Sequence, residues 1–233
     1  MAGAPDVPLQ RFPLPFPVKP YELPSARAPW RDGDRTVWSQ VVYANVEGWR
    51  PQAMDLYVPD ADGPVPVVVY VHGGAWLGGS HLPAWDDMVD WATLWRRLND
   101  AGIAVASISY RHSAEAPFPA CLYDVKAAVR WLRTFGSRLG VDPDRIGLLG
   151  DSAGGHLATL AAQPGSAEGD LGAVGVSSAV SAVVGWYPVT SLEDMPGADP
   201  QAPHVRLLGG TPAERPELAR AASPVAHVGP ASP

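Results

Sequence analysis

Residues 146–155 read Ile146-Gly-Leu-Leu-Gly-Asp-Ser-Ala-Gly-Gly155, and of all segments this one is the most informative about the fold. Its first half, Ile146–Gly150, is a short apolar run that predicts a buried strand. The small residues of Ser152–Ala162 predict a helix that ends before Pro164. Between them lies a G-x-S-x-G pattern centred on Ser152, which in a strand–turn–helix context is typical of a nucleophile elbow.

The elbow, residues 150–154, has glycines on both sides of the serine because side chains there would collide in so sharp a turn. The turn is expected to expose the hydroxyl of Ser152 above the sheet. It also places that hydroxyl at the positive end of the following helix. Ser152 is therefore the candidate nucleophile.

A second motif, His72-Gly-Gly-Ala-Trp76, follows directly after the β-branched run Val65–Val71. We call residues 72–76 the glycine segment. Attack of a serine on an acyl carbon creates an oxyanion that needs preorganised donors, and glycines let backbone N–H groups turn toward it. We expect the N–H groups of Gly73, Gly74 and Ala153 to form this oxyanion hole.

Several neighbours of the two motifs are further candidates. Trp76 follows the glycines and is a candidate wall of the substrate pocket. Asp151 flanks the serine and is expected to stabilise the elbow or to shape the acyl pocket. His72 is expected to anchor the glycine segment, whereas His156, one helical turn after Ser152, is expected to pack within its helix.

Strands and helices alternate along the middle of the chain. Runs rich in β-branched and aromatic residues predict strands at Thr36–Val46, Gln52–Val58, Val65–Val71, Ile103–Ile108, Ile146–Gly150 and Val180–Tyr187. Apolar residues at helical spacing predict helices that carry Met88, Trp91, Leu94, Trp95 and Leu98, and Leu122, Val125, Ala128, Val129 and Leu132. This alternation predicts an α/β fold whose mainly parallel sheet is covered by helices on both faces.

Composition excludes several classes of protein. The 233 residues suit one medium α/β domain or at most two small ones, and 17 basic against 24 acidic residues argue against a nucleic-acid partner. Because Cys121 is the single cysteine, an intrachain disulfide and a multi-cysteine zinc site are excluded. No apolar run approaches the about 20 residues that span a bilayer, and the N-terminus does not resemble a signal peptide. We expect no membrane partner and a cytoplasmic location.

Proline divides the chain into two predicted parts. Eight prolines fall within residues 1–34, which are expected to form an extended or irregular N-terminal extension, or the start of a cap over the pocket. Residues 35–233 are expected to form the α/β domain. From Pro188 onward proline is again frequent, and no further strand is predicted.

Several motifs occur together in one order: His72-Gly-Gly-Ala-Trp76, Ser109-Tyr-Arg111, Phe118-Pro-Ala120 with Tyr123-Asp-Val-Lys126, Asp142-Pro-Asp-Arg-Ile146 and Gly150-Asp-Ser-Ala-Gly-Gly-His156. Over residues 36–230 the chain resembles α/β-hydrolase esterases of the hormone-sensitive-lipase-like and bacterial feruloyl/acetyl-xylan-esterase-like groups. The resemblance implies hydrolysis of a small-molecule carboxylic ester through a Ser-His-Asp triad and an acyl-enzyme. It implies no metal or organic cofactor. It also implies Ser152 as nucleophile, with Gly73, Gly74 and Ala153 as oxyanion donors.

The resemblance also contains a departure. The family's catalytic acid and histidine follow later strands, and neither has a matching position before Pro233, so we expect a C-terminally truncated hydrolase domain that lacks the last strands and helices. A substitute triad would draw on His204 or His227 and on an acid among Glu193, Asp194 and Asp199. Ester hydrolysis is the leading function. The alternatives are an amide- or peptide-cleaving hydrolase of the same fold and a non-catalytic truncated remnant.

Overall fold

Seven strands form one mixed sheet in the computed structural model, which describes residues 28–82, 89–196 and 199–233. The strands are β1 (Trp30–Asp32), β2 (Arg35–Ala44), β3 (Gln52–Pro59), β4 (Val65–Val71), β5 (Ala104–Ile108), β6 (Val141–Asp151) and β7 (Ala182–Trp186). The helices are α1 (Trp91–Asp100), α2 (Ala120–Phe135), α3 (Ser152–Ala161), α4 (Pro203–Leu208) and α5 (Pro216–Ala221). Two 3-10 helices lie at Gly136–Leu139 and Pro224–Ala226.

The strand order is β1-β2-β3-β5-β4-β6-β7. β5, β4, β6 and β7 run parallel to one another, whereas β1, β2 and β3 are antiparallel neighbours and β3 pairs antiparallel with β5. The parallel half carries the alternation of strands and helices that the sequence predicts. The predicted α/β class is thereby confirmed, with an antiparallel half added at one side.

Most predicted strands are found to within one or two residues, and two strands depart further from the prediction. Trp30–Asp32 lies inside the stretch 1–34 that is predicted as irregular, yet it pairs with β2. Strand β6 begins at Val141 because Val141 pairs with Val65, before the register shifts and the regular pairing of the β4–β6 ladder resumes at Ile146. Residues 1–27 of the predicted extension and Met88 of the first predicted helix lie outside the described residues.

Helices cover both faces of the sheet. On one face Trp91 and Trp95 of α1 pack against Tyr70, with ring centroids 4.5 and 4.7 Å apart. On the other face α2 and α3 bury residues such as Leu122 and Leu157 in the larger apolar cluster. Full burial of a large apolar side chain stabilises a fold by about 1.5–3 kcal/mol, so these two layers hold the sheet in place.

The four parallel strands end at the same edge of the sheet, which we call the carboxyl edge. The glycine segment follows β4 there, and Ser152 follows β6. Strands β4 and β6 are neighbours, so the two predicted motifs are side by side. In the part of the chain that is described, no helix is both long and apolar enough to cross a bilayer.

Candidate active site

Ser152 occupies the sharp turn that its flanking glycines predict. It is the first residue of α3, directly after β6, and has φ 50°, a left-handed conformation that is costly for a residue with a side chain. A Cβ on Gly150 would lie 2.4 Å from the Gly154 carbonyl oxygen, and one on Gly154 would lie 2.0 Å from the Val71 carbonyl oxygen. Both contacts are with backbone, so only glycine fits at these two positions. The serine itself is partly exposed.

Asp151 links the elbow to the glycine segment. Its Oδ1 accepts hydrogen bonds from the Gly73 N–H at 3.0 Å and from the Tyr70 hydroxyl at 2.7 Å. Burial, together with the neighbouring carboxylate, raises the pKa of Tyr70 far above its ordinary value, so the phenol keeps its proton and remains a donor. Asp151 is 8% exposed. Its contacts fit the expected stabilisation of the elbow, whereas its burial leaves little surface for an acyl pocket.

The contact with Asp151 corrects one of the expected oxyanion donors. The Gly73 N–H is already bonded to the carboxylate, so it is not available to a substrate oxygen. Within the described residues no acceptor binds the N–H groups of Gly74 and Ala75. The N–H of Ala153 lies in the first turn of α3, where backbone donors have no partner inside the helix. The free donors beside the elbow are therefore those of Gly74, Ala75 and Ala153.

The glycine segment folds into a tight turn. Gly74 has φ 111°, Ala75 has φ 56° and Trp76 has φ 57°. The N–H groups of Leu77 and Gly78 donate to the Gly74 carbonyl oxygen at 2.9 and 3.2 Å. The N–H groups of Gly74 and Ala75, which precede these two donors, have no acceptor among the described residues.

His72 anchors the start of this turn, as predicted. Its Nδ1–H donates to the Gly73 carbonyl oxygen at 2.7 Å, and its ring stacks on Tyr110 at 4.3 Å. The Tyr110 hydroxyl donates in turn to the His72 carbonyl oxygen at 3.0 Å. Burial lowers the pKa of His72 to about 4. A neutral, stacked ring of this kind orients the backbone around it.

Trp76, the candidate pocket wall, lies in the core beside His156. Its side chain is 3% exposed, and its Nε1–H donates to His156 Nδ1 at 3.1 Å. His156 Nε2–H donates to the Ala222 carbonyl oxygen at 2.7 Å, and burial lowers the pKa of His156 to about 4. Both ring nitrogens of His156 are therefore hydrogen-bonded inside the protein, which agrees with the prediction that this residue packs in the interior. Trp76 is buried because its indole finds a hydrogen-bond partner in α3.

All six histidines of the chain lie within the described residues, and none is hydrogen-bonded to the Ser152 hydroxyl. His204 Nε2–H donates to the Pro196 carbonyl oxygen at 2.7 Å, and His227 Nε2–H donates to the Ala221 carbonyl oxygen at 3.0 Å. The substitute triad that the sequence leaves open is therefore not assembled in this structure.

Other chemistries find no support among the described residues. No group of three or more histidine, cysteine, aspartate or glutamate side chains is placed to hold a metal ion in that part of the chain. Burial raises the pKa of the Cys121 thiol to about 12, so this cysteine is a core residue and not a thiolate nucleophile.

Two residues of the site were missed by reasoning from the sequence. Tyr70 reads as a strand residue, and its role depends on a partner 81 positions away. Ala75 is not a glycine, and glycine is the residue type that signals a free backbone donor. Its place in the turn after Gly74 is the local signal that could have found it.

A serine in a strand–turn–helix elbow, next to a turn with unpaired N–H groups, on a sheet covered by helices on both faces, is the arrangement of the α/β-hydrolase fold. The sequence pattern of the BD-FAE family matches residues 54–233. This chain belongs to the BD-FAE family.

Relatives and solved structures agree with this class. The chain is 33% identical over 171 residues to a probable carboxylic ester hydrolase, LipM, of Mycobacterium tuberculosis, and 34% identical over 138 residues to an ethyl acetate hydrolase of Pseudomonas putida. These alignments cover 70% and 58% of this chain but span only 36% and 40% of the relatives' own lengths.

Two solved structures show the same fold. A truncated form of a carbohydrate esterase from gut microbiota superposes with a TM-score of 0.73 at 30% identity, covering 89% of this chain and 77% of that one. A butyrate-bound thermophilic esterase of Thermogutta terrifontis superposes with a TM-score of 0.62 at 26% identity, covering 80% and 66% of the two chains.

Proposed function

We propose that this protein hydrolyses carboxylic esters, with Ser152 as the nucleophile. The observation that carries the proposal is the partly exposed Ser152 at φ 50°, in the elbow beside the unpaired N–H groups of Gly74 and Ala75. The names of the relatives, a carboxylic ester hydrolase and an ethyl acetate hydrolase, support an ester as the substrate class.

In the proposed reaction the Ser152 hydroxyl attacks the acyl carbon of the ester and its proton passes to water, because no histidine is hydrogen-bonded to that hydroxyl in this structure. The carbonyl oxygen becomes an oxyanion, which accepts hydrogen bonds from the N–H groups of Gly74, Ala75 and Ala153. Collapse of the tetrahedral intermediate releases the alcohol and leaves an acyl-serine, and water then releases the acid. Loss of one such donor typically raises the barrier by about 3–4 kcal/mol.

Asp151 supports this reaction without touching the substrate. It holds the Gly73 N–H, and it is held by the Tyr70 hydroxyl, so the glycine segment and the elbow keep a fixed relative position. Preorganised donors need no rearrangement when charge develops on the substrate, which is the main source of their catalytic effect. The proposed substrate is a small-molecule ester with a small or medium acyl group.

The test is hydrolysis of p-nitrophenyl acetate and p-nitrophenyl butyrate by the purified full chain. We expect slow turnover that falls further in Ser152→Ala, because the hydroxyl is the attacking group although no histidine is hydrogen-bonded to it. Ser177→Ala is the matched control, since Ser177 is exposed and precedes β7 at the opposite edge of the sheet. Turnover that survives in Ser152→Ala, or none in the wild type, would refute the proposal. Faster cleavage of a p-nitroanilide than of the esters would favour the amide-cleaving alternative.

A further inference from the structure

A second cluster of buried polar side chains surrounds His81, six residues after Ala75. His81 is 8% exposed, Asp55 5% and Ser109 3%. Asp55 comes from β3, and Ser109 follows the last residue of β5. Buried polar groups are costly unless they are paired, so a cluster that draws on several elements is a specific feature of the fold.

One side of His81 is bound by the end of β5. The His81 backbone N–H donates to Ser109 Oγ at 3.0 Å. The Ser107 hydroxyl donates to the His81 carbonyl oxygen at 2.7 Å. These two bonds attach both backbone polar groups of His81 to the central strand of the sheet.

The other side of His81 is bound by a distorted part of β2. The side-chain amide of Gln40 donates to His81 Nε2, so Nδ1 carries the ring proton and donates to Ser109 Oγ at 2.7 Å. Burial lowers the pKa of His81, which keeps the ring neutral in this arrangement. Asp55 Oδ1 lies 3.7 Å from Nε2 and accepts the Gln40 backbone N–H at 2.8 Å.

Gln40 reaches His81 only through a strained backbone. It has φ 58°, and the pairing of β2 with β3 shifts register between Trp38 and Val41, on either side of it. Left-handed residues with side chains persist where surrounding contacts impose them, and strand irregularities of this kind redirect a side chain. Here the redirected side chain is the one that holds the His81 ring.

The serine, histidine and aspartate of this cluster do not form a second catalytic triad. Ser109 Oγ accepts from both the backbone and the ring of His81, and it is almost completely buried. A nucleophile must be reachable by substrate, and its hydroxyl must donate to the base. Ser109 therefore acts as an anchor point.

The cluster is connected to the glycine segment by residues 77–80. Leu77 and Gly78 donate their N–H groups to the Gly74 carbonyl oxygen, which closes the turn. A Cβ on Gly79 would lie 2.2 Å from His72 Nδ1, so Gly79 packs directly against that ring. His81 comes two residues later. The orientation of the Gly74 and Ala75 N–H groups thus depends on a turn whose far end is held by His81.

We infer that His81, held by Gln40, Asp55 and Ser109, is a positioning residue that keeps the glycine segment in its oxyanion-binding conformation. The inference rests on the proposed function and adds a residue that positions the oxyanion donors. A group that orients donors acts on the transition state more than on the bound substrate, so its loss lowers kcat and leaves KM nearly unchanged.

The kinetic test uses Gln40→Asn and His81→Ala in the full chain. Asparagine tolerates a left-handed backbone and retains the Gln40 backbone bond, but its shorter side chain does not reach His81. We expect kcat on p-nitrophenyl butyrate to fall by about 10-fold in Gln40→Asn and about 100-fold in His81→Ala, as for a small misplacement of catalytic groups. KM should change less than about 2-fold in both.

The matched control is Asn99→Ala. Asn99 is also a buried polar residue, but it lies in α1. It is bonded to Arg35 and to the carbonyl oxygens of Tyr57 and Ile103, and Ile103 directly precedes the amino end of β5. We expect Asn99→Ala to lower the melting temperature while leaving kcat unchanged. If Asn99→Ala lowers kcat as much as the two cluster variants do, general destabilisation explains the losses and the inference is wrong.

Hydrogen–deuterium exchange over residues 72–79 tests, independently of catalytic activity, whether His81 holds the glycine segment in place. We expect faster exchange in Gln40→Asn and His81→Ala than in the wild type, and no change there in Asn99→Ala. If the wild type cleaves no ester, the proposed function fails and the exchange measurement still decides whether His81 holds the segment. If His81→Ala does not fold, Gln40→Asn decides alone. Unchanged exchange and unchanged kcat in Gln40→Asn would overturn the inference.

Discussion

The two edges of the parallel half of the sheet differ in backbone geometry. Five non-glycine residues with positive φ occur in the described part of the chain. Four of them follow β4, β6 and β7 at the carboxyl edge, namely Ala75, Trp76, Ser152 and Tyr187, whereas Gln40 lies inside β2. At the amino edge, where the parallel strands begin, the positive-φ residues are glycines such as Gly102 and Gly140, and the buried Arg35 guanidinium is hydrogen-bonded to Asp32 and Asn99. Strain is thus concentrated where Ser152 and the unpaired N–H groups lie, while the opposite edge is held by ordinary paired contacts.

The difference shows how one sheet serves stability and chemistry at once. Left-handed residues cost about 1–3 kcal/mol each and persist only where neighbouring structure imposes them. The carboxyl edge supplies this constraint through Asp151, which holds Gly73, and through His81. Substitutions of matched residues at the two edges therefore test whether the edges differ in this way.

The largest effect is expected from Gly154→Ala. The added Cβ would lie 2.0 Å from the Val71 carbonyl oxygen and 2.4 Å from that of His72, and neither backbone atom can move without opening the elbow. We expect the free energy of unfolding, measured by urea denaturation, to fall by about 4 kcal/mol or more. Gly63→Ala, before β4 at the amino edge, has open space around its Cβ and should change it by less than about 0.5 kcal/mol. Equal losses would show that the edges do not differ in tolerance.

Acid should destabilise the carboxyl edge first. Burial lowers the pKa of both His72 and His156 to about 4, whereas in the unfolded chain each binds a proton near pH 6.5. Above pH 6.5 both states are neutral and stability does not depend on these groups. As pH falls from 6.5 toward 4 the unfolded state binds more protons, so the free energy of unfolding should drop by about 1.4 kcal/mol per pH unit for each histidine.

The measurement is urea denaturation at pH 7, 6 and 5, with His156→Gln as the variant that should show a smaller slope. At the amino edge the Arg35 guanidinium lowers the pKa of Asp32 below its usual value of 3.8, so that contact is lost only at a lower pH. A stability that stays flat between pH 6.5 and 4.5 would contradict the buried, neutral state of these histidines.

The smallest effect is expected from Tyr70→Phe. The change removes the hydroxyl that donates to Asp151 and keeps the ring that packs on Trp91 and Trp95. Because a hydrogen bond to a charged group contributes about 1.5–3 kcal/mol, we expect kcat to fall by about 10-fold with KM nearly unchanged. Tyr57→Phe, in the same aromatic cluster but near the amino edge, should retain full kcat. A loss of kcat in both variants would point to the cluster and not to the hydroxyl.

Local patterns were sufficient for most of the elements. The β-branched run Val65–Val71 predicts β4 with its observed bounds, and Ser152–Ala162 predicts α3 to within one residue. These elements follow from side-chain period and from proline and glycine at their ends, which are properties of neighbouring residues. The position of β5 between β3 and β4 has no such local signal, because strand order depends on contacts between distant segments.

The site divides in the same way. The glycine pattern alone predicts that Ser152 lies in an elbow and that a turn with backbone donors follows β4, because both depend on backbone conformations that glycine permits. Which of these donors are free depends on contacts between distant parts of the chain. Asp151 accepts a hydrogen bond from the Gly73 N–H, 78 positions away in the sequence. His156 accepts one from the buried Trp76 indole, 80 positions away. Hydrogen-bond partners so far apart are brought together by packing of the sheet and helices, and no spacing in the sequence specifies them.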